Sequence, residues 1–412
     1  MLTDPLAQSL FEQIAALPTV DAHEHLHAEE MRVGRQVDIF LLFHQYLFTQ
    51  LIAAGMDPAM AEALGDEETP LDRKWEALAP HLDLVRTCSC ARPPFEALKR
   101  FFDEEDLTKD NYQSLTERMR AHNQPGLFGR CLQEACGLVK VLNQNRTMWQ
   151  TEVFKPILFE TSFIGGPGRE GYEAVARELG RELPRTLPEY EDLMEALLAQ
   201  RASEGMVGVK SIGFEYVPGD RGAAMAAYRY MQAGTLEPAD AAALNHYLRD
   251  RLWAACGRLG LVASIHTGVW SGGWANHTNI RPTNIFPAAC AHRETKFDLF
   301  HAGTPWPADA GLIGRGLPNV WLNLCWSHLI SPVQAEQALD LWLDMVPVNR
   351  IFAFGGDYWW AVENVYGSLT QTREIVAKVL ARRVKEGAIR DNQCLPIARK
   401  WLHDNPRDVY GI

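Results

Sequence analysis

Eight short apolar runs, separated by segments of helical periodicity, constrain this chain more than any other feature of its sequence. In order they span residues 19–22, 137–143, 156–162, 206–213, 261–267, 296–301, 320–325 and 350–356. Between the later runs lie amphipathic stretches. Residues 237–257 place Ala242, Leu244, Leu248, Leu252 and Ala255 on one face, and residues 370–385 do the same with Ile375, Val376, Val379, Leu380 and Val384. Strands that alternate with helices pair in parallel, because each crossover returns the chain to the same end of the sheet. The expected fold is therefore α/β, a (β/α)8 TIM barrel. Its 412 residues exceed the ~250 of a bare barrel. The surplus falls after the first strand: residues 28–130 contain no strand-like run, and their apolar and charged residues mix at helical spacing. The expectation is a single barrel domain over 1–412 that carries a helical insertion, or lobe, at 28–130. A first helix is also legible, with Asp4 as its cap, Pro5 in its first turn, Leu6, Leu10, Phe11, Ile14 and Leu17 on one side, and Pro18 as its stop.

A formal net charge of -12 leaves no clustered cations to grip phosphate, so nucleic acid and anionic membrane are excluded as partners. The longest uncharged run, 259–280, is too rich in Gly, Ser, His and Asn for a bilayer, and the acidic N-terminus does not resemble a secretory signal. A cytoplasmic protein is expected, with a small molecule as its partner and self-association into a homo-oligomer left open. The eight cysteines lack zinc-knuckle or redox spacing, the nearest pairs being Cys88/Cys90 and Cys131/Cys136. They read as reduced structural thiols.

The chemistry is carried by residues at the ends of the predicted strands. In Val20-Asp21-Ala22-His23-Glu24-His25, strand alternation points His23 and His25 the same way. Two neutral imidazoles converging on one spot make half of a metal site, since each offers a lone pair and neither repels the ion. By itself such a pair is equally well read as two polar histidines at the surface. Three further candidates change the balance: His266 ends the fifth run, His301 the sixth, and Asp357 follows the eighth. The interval from His266 to His301 suits one strand-helix-strand step, and that from His301 to Asp357 leaves room for two. All lie where a parallel barrel builds its active site, at the C-terminal ends of the strands.

The motifs Asp21-Ala-His-Glu-His25, Ser264-Ile-His-Thr-Gly268, Phe300-His-Ala-Gly-Thr-Pro-Trp306, Phe354-Gly-Gly-Asp-Tyr358 and the closing Asp404-Asn-Pro-Arg-Asp-Val-Tyr-Gly411 resemble those of the amidohydrolase superfamily. Within it they are similar to the branch that includes uronate isomerases and aminocarboxymuconate-semialdehyde decarboxylase. The long insert and the C-terminal tail look more like the uronate isomerases, and the strand-six and strand-eight motifs more like the hydrolase and decarboxylase members.

The resemblance implies that His23, His25, His266 and Asp357 hold one divalent ion, zinc or else manganese. It places His301 nearby, as a second-site ligand or a hydrogen-bond donor to substrate. Such an ion lowers the pKa of bound water to ~7, and Asp357 could shuttle the proton. Catalytic roles thus fall to Asp357 and His301. Lys210, within the fourth strand, is a buried or substrate-facing cation in preference to a carbamylated bridge between two metals. Arg146, with the preceding Asn143-Gln144-Asn145, and Arg281 are candidate clamps for a substrate carboxylate, with a plain surface arginine the commoner outcome for either. Trp270, Trp306 and Trp359 belong to an aromatic rim able to stack on a sugar or a ring, or simply to pack the loops. His277, His292 and His328 have no assigned partner.

The leading expectation is a metal-dependent hydrolase that opens an ester, lactone or amide in a small carboxylated or ring-containing substrate. A non-hydrolytic enzyme is the alternative, either an aldose-ketose isomerase of the uronate isomerase kind or a decarboxylase. A non-catalytic binding protein is the third, disfavoured by the complete ligand set.

Overall fold

The computed structural model describes residues 2–412. Eight strands form the barrel: β1 (Thr19–Glu24), β2 (Leu138–Asn145), β3 (Phe154–Phe159), β4 (Gly208–Ile212), β5 (Val262–His266), β6 (Lys296–Leu299), β7 (Val320–Asn323) and β8 (Ile351–Phe352). Each pairs in parallel with its sequence neighbour, in the order β1 to β8. The seam closes through the segment after β8, where Ala22 N donates to Phe354 O at 3.1 Å and Asp357 N donates to His23 O at 2.9 Å. This is the (β/α)8 barrel that the alternating runs predict, with all eight strands where those runs fall. The expected helices are present as Pro5–Ala15, capped by the Asp4 side chain, Pro238–Leu259 and Asn364–Lys385.

One step departs from strict alternation. The connection from β2 to β3 (146–153) contains no helix, and the outer face it would cover is taken by the end of the insert, where Phe128 packs on Phe154 with ring centroids 5.6 Å apart. Every element between β1 and β2 is a helix, the longer ones being Leu71–Val85, Arg92–Phe102 and Tyr112–His122. The insert shares one buried cluster with the helix Asn364–Lys385: Phe40, Phe43 and Leu98 belong to the same core as Leu369 and Val376. Gly367 makes the close approach possible, since a Cβ there would stand 2.5 Å from Pro93 Cα.

At the opposite end, Val409 and Tyr410 pack against Ala22, Leu142, Ile157, Val262 and Phe352. The Tyr410 hydroxyl donates to Asp298 at 2.7 Å and lies 2.9 Å from Ser264 Oγ, plugging the barrel floor. All eight cysteines are free thiols. Among the described residues no helix is long and apolar enough to cross a membrane.

Candidate metal centre

The site begins with the hydrogen bonds that turn each imidazole. His25 Nδ1 lies 2.8 Å from Gln144 O, His266 Nε2 lies 2.9 Å from Val269 O, and His301 Nδ1 lies 3.1 Å from Cys325 O. A carbonyl oxygen only accepts, so each of those ring nitrogens carries the proton and the other carries a lone pair. The three lone pairs point inward. His25 Nε2 stands 3.3 Å from Asp357 Oδ1, and His301 Nε2 stands 3.1 Å from His266 Nδ1. His23 Nε2 lies 3.2 Å from the same Asp357 oxygen, and neither of its ring nitrogens has a hydrogen-bond partner among the described residues. Burial holds all four imidazoles below the ordinary histidine range, hence neutral, and pushes the Asp357 carboxyl up.

Lone pairs facing a carboxylate and facing each other repel unless a cation lies between them. Backbone carbonyls that fix the remote nitrogen are the usual second shell of metal-binding histidines. The donor set therefore fits a divalent ion. The ligand atoms of His23, His301 and Asp357 lie within 4.8 Å of one another, and His25 adjoins through the shared Asp357 oxygen. His266, expected among the ligands, meets the cluster through its Nδ1, 3.1 Å from His301 Nε2, and its ring stacks on Trp270 at 4.4 Å.

Beneath the ligands is an acidic layer that sequence reading missed. Asp21 Oδ1 accepts from His23 N at 3.1 Å and from Gly356 N at 3.3 Å, and Glu24 accepts from Tyr358 N at 2.6 Å. Burial raises both carboxyls, and Asp21 raises Glu24 further as a like charge, while Asp21 Oδ2 and Glu24 Oε1 have no hydrogen-bond partner among the described residues. The signal was present: acids inside a strand that reads as fully buried need partners. Gly355 and Gly356 allow the approach, because a Cβ on Gly356 would stand 2.0 Å from Glu24 Oε1.

Lys210 is buried, and its Nζ has no hydrogen-bond partner among the described residues. It sits 4.0 Å from the Phe300 ring centroid, and that ring is 4.3 Å from the ring of His23. Burial lowers the Lys210 ammonium to about 8, against the opposing pull of Asp357 and Asp298. Arg146 is exposed at the mouth, 5.9 Å from the Phe159 ring, which stacks in turn on His25. Arg281 is held by Asp309 at 2.6 Å and lies over Trp306. Trp359, half exposed, meets His25 edge-on at 6.3 Å. His277 accepts from Trp270 N, His292 pairs with Asp250, and His328 bonds Ser368 Oγ at 2.7 Å. Each of these three has a local partner.

Fold and site together describe a (β/α)8 barrel with a candidate metal centre at the C-terminal ends of its strands. The sequence profile of one family, Amidohydrolase, matches residues 183–412. The chain belongs to the amidohydrolase family.

Solved structures resemble it over nearly its full length at low identity. A uronate isomerase from Thermotoga maritima is 16% identical with a TM-score of 0.82, covering 99% of this chain and 98% of its own. A glucuronate isomerase from Caulobacter crescentus is 14% identical with a TM-score of 0.79, covering 100% and 95%. A protein from Lactobacillus casei described as a metal-dependent hydrolase is 14% identical with a TM-score of 0.60, covering 98% and 97%. No protein with a curated description matches the chain.

Proposed function

We propose that this protein is a divalent-metal-dependent isomerase that interconverts the aldose and ketose forms of a hexuronate. The observation that carries this reading is the likeness of the complete chain, insert and barrel together, to two sugar-acid isomerases at TM-scores of 0.82 and 0.79, against 0.60 for the hydrolase. The expectation of a hydrolase thus gives way to its alternative.

Isomerisation moves one hydrogen from C2 to C1 and one proton from O2 to O1, without consuming water. His23, His25, His301 and Asp357 would hold a zinc or manganese ion, which would supply Lewis-acid polarisation of the substrate's carbonyl and hydroxyl oxygens. Asp357 is the base that carries the proton between those oxygens, its carboxyl held above the ordinary carboxylate range by burial. Lys210 lies below as a fixed cation that offsets negative charge developing on the sugar. Arg146, free at the mouth, meets the carboxylate, while Trp270 and Trp359 offer apolar faces to the carbon chain.

A second reading, hydrolysis of an ester, lactone or amide with Asp357 acting on water, draws on the family match and on the Lactobacillus casei structure. Incubating metal-loaded protein with D-glucuronate, D-galacturonate and a panel of lactones separates the two. Ketose formation supports isomerisation. Lactone opening without ketose transfers the assignment to hydrolysis, and inertness toward both overturns each.

A further inference from the structure

We infer that Gln45, carried by the helical insert, is a positioning residue for Asp357. Asp357 adopts φ +68°, a left-handed conformation uncommon for any residue but glycine. What holds it is a side chain more than three hundred residues away in sequence. Gln45 Nε2 donates to Asp357 O at 3.0 Å, and Gln45 Oε1 accepts from Trp359 N at 2.8 Å. One carboxamide therefore closes the 357–359 turn with both of its ends, as a paired backbone strand would. The neighbouring Tyr46 hydroxyl donates to the same Asp357 carbonyl.

On its other side the turn is tied to β1, with Asp357 N bonded to His23 O and His25 N bonded to Tyr358 O at 3.0 Å. The turn is thus gripped between the histidine strand and the insert. That grip sets the direction from which the Asp357 carboxylate approaches His23 and His25.

The insert has a second, separate attachment to the mouth, where Thr49 Oγ1 donates to Ser271 O at 2.9 Å. Loosening the insert in general can therefore be distinguished from releasing Asp357. Gln45→Met keeps the length and removes both hydrogen bonds. Thr49→Val removes only the Thr49–Ser271 bond.

This inference rests on Asp357 being a metal ligand, so the test reads the metal directly. Cobalt(II) is added to metal-free native protein and to both variants, with visible absorption and affinity measured alongside thermal unfolding of the metal-free forms. Native protein and Thr49→Val are expected to share one cobalt spectrum and affinity. Gln45→Met is expected to bind cobalt ~10–100-fold more weakly, the range for losing an outer-shell partner, with altered absorption and near-native unfolding.

Replacing Gln45 by Glu keeps the acceptor for Trp359 N and loses the donor to Asp357 O, so it should fall between the two. A Gln45→Met spectrum and affinity equal to native overturn the positioning role. So does an equal loss in Thr49→Val. Native protein that binds no cobalt overturns the metal reading itself, a result separable from the others.

Discussion

His266 Nδ1 and His301 Nε2 meet at 3.1 Å while the far nitrogen of each ring faces a backbone carbonyl, Val269 O for one and Cys325 O for the other. Those carbonyls claim the ring protons, so the two rings oppose lone pair to lone pair. A protein does not fix four buried neutral imidazoles and one carboxylate in this way for stability, because each uncompensated contact costs free energy. The arrangement fits a cation held by His23, His25, His301 and Asp357, with His266 turned toward it beside His301.

Stability should therefore depend on metal in a ligand-specific manner. His23→Ala and His301→Ala are expected to lose the ion while far-UV circular dichroism stays native. Because binding to the folded state stabilises it by mass action, the gap in melting temperature between native protein and either variant should be wide with metal and narrow after chelation. Full metal occupancy in His23→Ala would place the ion elsewhere.

Asp357→Asn preserves size and one ligand oxygen but removes the base. With metal held at saturation, the expected loss in kcat is ~10²–10⁴-fold, with KM changed far less. Near-native turnover would leave Asp357 as a ligand only and shift proton transfer to another group.

The Lys210 ammonium titrates near 8 in the fold, against ~10.4 in the unfolded chain. The unfolded state thus binds the extra proton between these values. Stability gained from the depressed pKa is present above ~10.4 and lost as pH falls through 8. Lys210→Met should accordingly be more stable than native protein at pH 7 in the metal-free state, by ~1–3 kcal/mol. The advantage should shrink as pH rises past 8 toward 10, as read by denaturant midpoints at each pH. A constant difference from pH 6 to 10 would rule out burial of the charge as its origin.

The aromatic rim should divide. Trp270 stacks on His266 and Trp359 abuts His25, whereas Trp306 packs under the Arg281–Asp309 pair. Trp270→Phe and Trp359→Phe are each expected to diminish the fluorescence change on metal or sugar-acid binding, and Trp306→Phe to leave it intact. A response carried mainly by Trp306 would relocate the site.

Much of this was legible in the chain itself. The eight strands could be read because buried parallel strands need short apolar runs, and His23, His25, His266, His301 and Asp357 were visible because each follows such a run. What could not be read depends on distant pairing. Nothing local in Arg281 shows that Asp309 will neutralise it. The left-handed backbone of Asp357 is imposed by Gln45 and Tyr46, and a helical pattern across residues 28–130 says nothing of which side chain will reach the eighth strand. How the His266 and His301 rings are turned was also beyond spacing, since it follows from the Val269 and Cys325 carbonyls that each ring faces.

The most direct test of metal-dependent isomerisation is turnover of D-glucuronate or D-galacturonate by chelated protein as zinc or manganese is restored in measured steps. Ketose formation should be absent at the start, rise in proportion to added metal and break at one equivalent per chain. Turnover that survives chelation, or metal-loaded protein that forms no ketose from either uronate, would contradict it.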